Sequence, residues 1–261
     1  MPTRRSLLAL SGALLVGCSG QPSPAHPPPG RCVPRETLPT IRSIGAAELP
    51  YEMDGRVRPY AVDEGFAAQL EGWLTSWNAV AGTKPVTSIT TYGIWTSGDC
   101  SSWHASGRAL DIARLKVGST ETVSCRHDLW RSETSDDPAR ATARERDLQR
   151  GYWRLAASLH ASFAYVLTHH FDDLHDNHIH IDDSVSQGRP TTFNPRSRVQ
   201  CQAVAAIATW VHGVATPVSG AWDTPTQNAA RTVLRQLSIT GSLTDQGTWQ
   251  AFLAASARGG T

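Results

Sequence analysis

The chain has 261 residues, 40 % of them hydrophobic, and 24 Lys and Arg against 23 Asp and Glu, a formal net charge of +1. This near-neutral balance, with no basic tract, excludes the electrostatic grip on phosphate that nucleic-acid binding needs. The composition suits an exported globular protein, and the amino terminus states the export.

Arg4-Arg5 precede an apolar run from Leu7 to Val16, which Gly17-Cys18 close. A positive start, a short apolar core and a small residue before the cut make a secretory signal over residues 1–17. The run is too short to span a bilayer. Leu15-Val16-Gly17-Cys18 resembles a bacterial lipoprotein signal, which implies cleavage before Cys18 and lipidation of its thiol. Arg4-Arg5-Ser6-Leu7-Leu8 is also similar to a twin-arginine signal. Residues 18–31 continue as a tether rich in Pro, Ser and Gly that has nothing to build a core from. Four further cysteines, Cys32, Cys100, Cys125 and Cys201, enter an oxidising compartment and predict two disulfides out of three connectivities. The expected pairs are Cys100–Cys125 beside the site and Cys32–Cys201 closing the domain.

Asp63 predicts the cap of a helix through about Ala81, with Phe66, Leu70, Trp73, Leu74 and Trp77 on one face and Gly82 as the stop. Val86 to Trp95 reads as a strand, and Ser97-Gly98-Asp99 as a turn. In the stretch from His104 to Asp111, Gly107 lets the chain bend, and Leu110 and Ile112 alternate with Ala109, Asp111 and Ala113. That is a strand with its carboxylate on a face of small residues. Residues 116–137 are polar and predict a loop. Asp136-Asp137-Pro138 predict the start of a long helix, with Leu148, Tyr152, Leu155, Leu159 and Phe163 as its buried stripe. Arg140, Arg144, Arg146 and Arg150 form its solvated face; one of them gripping a substrate carboxylate is a lesser reading. Tyr165 to Thr168 is another strand, after which His169-His170 could extend a metal site.

The most telling segment is Asn177-His178-Ile179-His180-Ile181-Asp182. Its strict alternation sets His178, His180 and Asp182 on one side of a strand and both isoleucines in a core. Six of the ten histidines lie between His160 and His180. Two strands carrying inward donors, with His104 on the preceding loop, can converge on one divalent ion. Imidazoles plus a carboxylate leave zinc an open position.

Ser102-Trp103-His104-Ala105-Ser106-Gly107-Arg108-Ala109-Leu110-Asp111, taken with His178-Ile179-His180, resembles the zinc D-alanyl-D-alanine carboxypeptidase and lysostaphin-like metallopeptidases. Within that group it is most similar to the bacterial extensin-like C-terminal domain family. The resemblance covers roughly residues 60 to 185. It implies Zn2+ held by His104, Asp111 and His180, with His178 near the attacking water and His175 orienting the site. It also implies amide hydrolysis by a metal-bound water in peptidoglycan stem peptides or cross-bridges. Where relatives carry Asp or Glu three residues before the last ligand, this chain has Asn177, which cannot accept a proton at neutral pH. Asp176 is adjacent but faces the other way on a strand, and His178 shares the face of His180 and can take the role.

Past Asp183 a loop leads to helices from Cys201 onward. Val218-Ser219-Gly220-Ala221-Trp222-Asp223 matches Ile239-Thr240-Gly241-Ser242-Leu243-Thr244 by residue class, and each should precede a helix, started by Thr224-Pro225 or Asp223 in one case and by Thr244 in the other. This resembles a peptidoglycan-binding-like three-helix module, except that Leu234-Arg235 stands where Phe-Gln is usual. The expectation is an α+β protein: a small antiparallel sheet carrying a zinc site with flanking helices over 32–198, and a helical wall-binding domain over 199–257. It would be lipid-anchored to the outer face of the bacterial cytoplasmic membrane. The rivals are a catalytically weak or inactive wall-binding lipoprotein that keeps the ion, and a metal carrier using the histidine-rich 169–180 segment.

Overall fold

The computed structural model describes residues 32–80, 84–119, 121–133, 135–184 and 186–259. The expected signal peptide, Cys18, the tether and Gly82 lie outside the described residues. The fold is α+β. Its strands, in chain order, are β1 (Thr40–Ile41), β2 (Ser43–Ile44), β3 (Ala47–Glu48), β4 (Tyr60–Ala61), β5 (Val86–Gly93), β6 (Ala109–Val117), β7 (Glu121–Ser124), β8 (Tyr165–Leu167) and β9 (Ile179–Asp182). The helices are α1 (Glu64–Val80), α2 (His127–Trp130), α3 (Ala143–Ser162), α4 (Arg198–Trp210), α5 (Thr224–Gln236) and α6 (Gln246–Arg258). No helix among the described residues is long and apolar enough to cross a membrane.

The main sheet runs β2-β3-β5-β6-β9-β8, with β7 also paired to β6. Its centre, β5-β6-β9-β8, is antiparallel as the alternating patterns suggest. The sheet as a whole is mixed, because β3 joins β5 in parallel. β1 to β4 are two-residue pairings with no periodicity a sequence could announce. Residues 116–137 are not one loop: β6 continues to Val117 and turns into the hairpin strand β7, with Gly118 at φ 60° in the connection.

Asp63 caps α1, its carboxylate accepting from the Phe66 N–H at 3.0 Å, and the five predicted apolar residues are all buried. The long helix α3 begins later than Asp136–Pro138. Thr142 and Glu145 form a reciprocal capping box there, which satisfies two free N–H groups at once and outcompetes the Asp-Pro start. Its buried face is Tyr152, Leu155 and Leu159, with Gln149 and Trp153 where Leu148 was expected. Trp153 Nε1 donates to Gln149 Oε1 at 2.9 Å, so the polar group is buried with a partner. Arg140, Arg144, Arg146 and Arg150 are exposed.

One apolar cluster runs from the sheet through α1 and α3 into the carboxy-terminal helices, reaching Trp249, Phe252 and Leu253. α3 packs against both α4 and α6. Asp223 caps α5, whereas α6 is capped by Asp245, one residue beyond Thr244, through the Thr248 N–H at 2.9 Å. The carboxylate is the stronger acceptor for a helix N-terminus.

Candidate metal centre

The centre is laid out by strand register. β6 and β9 pair antiparallel with Leu110 opposite Ile181, Asp111 opposite His180, and Ile112 opposite Ile179. Residues directly opposite point to one face with their Cβ atoms about 5 Å apart. The flanking pairs are buried, so burying them commits Asp111 and His180 to the other face, side by side. On the far side of β6 the partner of Asp111 is Gly93, and the Thr91 hydroxyl donates to the Asp111 carbonyl at 2.7 Å.

His104 arrives from a 3-10 turn, Trp103–Ser106, capped by the Ser102 hydroxyl and closed by Gly107 at φ 69°. A Cβ at Gly107 would lie 2.9 Å from Leu38 Cδ1 and 3.1 Å from the Asp63 nitrogen. Both the left-handed backbone and the close approach therefore require glycine. Cys32 and Cys100 form a disulfide just ahead of this turn, and the Val33 N–H donates to the Ala105 carbonyl at 2.9 Å. The expected pairs Cys100–Cys125 and Cys32–Cys201 do not form. Cys100 lies on an exposed loop, whereas Cys125 and Cys201 are free thiols buried in the core.

Three donor atoms meet. His104 Nε2 is 3.2 Å from Asp111 Oδ1 and 3.2 Å from His180 Nδ1, and His180 Nδ1 is 2.9 Å from Asp111 Oδ1. Ligands about 2.0–2.1 Å from a tetrahedral zinc stand roughly 3.3 Å apart, so the donor set fits that ion. The outer nitrogens fix the tautomers. His104 Nδ1 lies 2.6 Å from the Ile94 carbonyl, which can only accept, so the proton is there and the Nε2 lone pair faces the centre. His180 Nε2 faces the buried Asp182 carboxylate at 3.4 Å. Burial opposes charge on His180, but hydrogen bonds to Asp111 and Asp182 outweigh it and raise its pKa to about 10. Burial likewise opposes ionisation of Asp111, yet His104 and His180 hold its pKa well below the usual range.

His178 sits one step along the same face. Its Nδ1 is 2.6 Å from Asn177 Oδ1, and its Nε2 is 3.4 Å from Asp111 Oδ1. Donation from Nδ1 to the amide leaves Nε2 as the acceptor on the centre side. Burial lowers the His178 pKa to about 4, so the ring is neutral near pH 7. The side chains of His104, Asp111, His178 and His180 keep 12, 18, 14 and 12 % of their surface exposed, which leaves the centre reachable from solvent.

His175 stands beside this group, its ring centroid 5.1 Å from that of His178 and 6.0 Å from that of His180, with Nδ1 2.6 Å from Asp172 Oδ1. Asp176 turns elsewhere: its carboxylate pairs with Arg131 and approaches His127 Nδ1 at 3.5 Å. His169 and His170 do not extend the centre. His169 stacks on His127, in a second cluster with Asp136. Sequence reading gives no role to His127 or the Ile94 carbonyl, and it offers Asp136 only as part of a helix start. His127 and Asp136 lie 42 and 33 residues from His169, too far apart for any spacing motif to join them. No family model, curated protein or solved structure matches the chain.

Proposed function

We propose that this chain is a zinc-dependent peptidase-like protein of the bacterial envelope that hydrolyses an amide in peptidoglycan stem peptides or cross-bridges. The observation that carries the reading is the convergence of His104 Nε2, Asp111 Oδ1 and His180 Nδ1 within 2.9–3.2 Å, with His178 Nε2 beside them. The resemblance to extensin-like and lysostaphin-like metallopeptidases supports the same residues. Zinc held there supplies a Lewis acid for the scissile carbonyl and makes water acidic enough to attack near neutral pH. His104, Asp111 and His180 bind and orient, and Ile94 and Asp182 keep the two imidazoles in the ligating tautomer. His178 Nε2 accepts the proton of the attacking water, and Asn177 holds the ring in the form that can do so. In this reading Asn177 orients the base instead of serving as one.

The lipid on Cys18 and the tether would hold the domain near the wall. The repeat before α5 and α6, with Gly220 and Gly241 both at positive φ, 74° and 110°, is the feature the carboxy-terminal helices share with the wall-binding module they resemble. Asn177 also favours a second reading, a wall-binding lipoprotein that keeps the ion without turnover. Zinc-loaded protein incubated with muropeptides separates the two. New amine termini that vanish on chelation are expected; their absence from the wild type, with their appearance in Asn177→Asp, would establish the second reading.

A further inference from the structure

Outside the centre above, the only other group of His, Cys, Asp and Glu side chains able to surround an ion among the described residues is His127, Asp136 and His169. His127 opens α2 after the β7 hairpin, Asp136 lies on the loop before α3, and His169 follows β8. Asp136 Oδ1 is 3.4 Å from His127 Nε2 and 3.8 Å from His169 Nε2. The two imidazole side chains are only 3 % and 2 % exposed, and none of their four ring nitrogens has a hydrogen bond of proper geometry among the described residues.

Packing alone accounts for part of this. The rings stack at 3.9 Å and 12°, with Trp130 edge-on to His127 and Tyr152 edge-on to His169. Packing does not account for the polar atoms. A buried ring nitrogen without a partner costs on the order of 1–3 kcal/mol; both Nε2 atoms face Asp136, and His127 Nδ1 is approached by Asp176 Oδ1 at 3.5 Å. The Asp136 carboxylate is itself positioned: Gln149 Nε2 donates to its Oδ1 at 2.9 Å. Asp136 is 52 % exposed and, with His170, lines a cavity of about 520 Å3 walled by Thr209, Trp210 and Thr216. The cluster thus has two imidazole nitrogen donors inside and one oxygen donor at an open mouth.

We propose that His127, Asp136 and His169 are a second metal site, taking a zinc-class divalent cation through the cavity beside α4. Two imidazoles and one carboxylate favour such a cation over calcium or magnesium, which prefer all-oxygen shells. Because the rings are nearly parallel, their lone pairs run alongside each other, and capture requires both rings to rotate. The site therefore binds more weakly than the first.

The test is zinc titration of the purified, metal-free full chain, with stoichiometry by elemental analysis and affinity by calorimetry. Expected are two equivalents, the second at least tenfold weaker. Asp136→Asn, at an exposed position, and His169→Gln should each lose only the weaker equivalent, and His104→Ala only the tighter. A protein binding one equivalent that His104→Ala retains and Asp136→Asn loses would uphold this site while refuting the first. Imidazole nitrogen resonances give a readout without mutation: zinc should shift those of His127 and His169. One equivalent, unaffected by Asp136→Asn and His169→Gln and with those resonances unmoved, overturns the proposal.

Discussion

The molecule carries two trios of two histidines and an aspartate, and they differ in what stands behind the donors. At His104–Asp111–His180 the imidazoles face the Ile94 carbonyl and the Asp182 carboxylate with their outer nitrogens, and the inner atoms stand at ligand spacing. At His127–Asp136–His169 the rings stack face to face, and only the carboxylate has its orientation fixed by a hydrogen bond. In the first trio Asp111 and His180 sit on paired strands with buried side chains on both sides and His104 on a capped 3-10 turn, while the second comes from a short helix and two loops. Identical donor chemistry thus yields one cage ready for an ion and one that must rearrange to take it. Preorganisation is a property of the supporting residues.

Breaking the first cage should have the largest effect. His104→Ala or Asp111→Ala should weaken zinc by more than about a hundredfold and remove turnover, measured by calorimetry and by release of amine termini. His178→Ala comes next: zinc occupancy should be unchanged while kcat falls roughly 10²–10⁴-fold, the usual contribution of a positioned base. Asp182→Asn tests the support itself. Zinc affinity should fall about 10–100-fold with the fold intact by circular dichroism, and a smaller change would make the second sphere less important than claimed.

A stability effect sharpens the comparison from outside both trios. The His160 ring is fully buried with no hydrogen bond to either nitrogen among the described residues, and burial alone lowers its pKa to about 3. The unfolded chain takes up that proton near pH 6.5 and the folded one does not. Stability is therefore complete above about pH 6.5 and declines as pH falls toward 3, by at most about 1.4 kcal/mol per unit from this residue. Denaturant unfolding across that window should show a shallower decline in His160→Leu than in the wild type.

The first trio was legible because alternation is local. Ile179 and Ile181 against His178 and His180, and Leu110 and Ile112 against Asp111, announce which face each donor takes. What alternation cannot carry is the pairing of distant segments. The β1–β4 and β3–β5 pairings and the second trio depend on residues that meet only in the folded chain. The α3 start was misread because Asp136-Asp137-Pro138 is a strong local signal, and the capping box at Thr142 and Glu145 is stronger. The disulfides were misassigned because the count of cysteines says nothing of depth. Cys125 is sealed behind the sheet, which left Cys32 to meet Cys100.

The alignment of β6 with β9 has a consequence for quality control. Sliding β9 past β6 by a single residue would turn His180 inward and push Ile179 and Ile181 out to water. A chain caught in that wrong frame has no grip on zinc, so metal content doubles as a census of correctly threaded molecules.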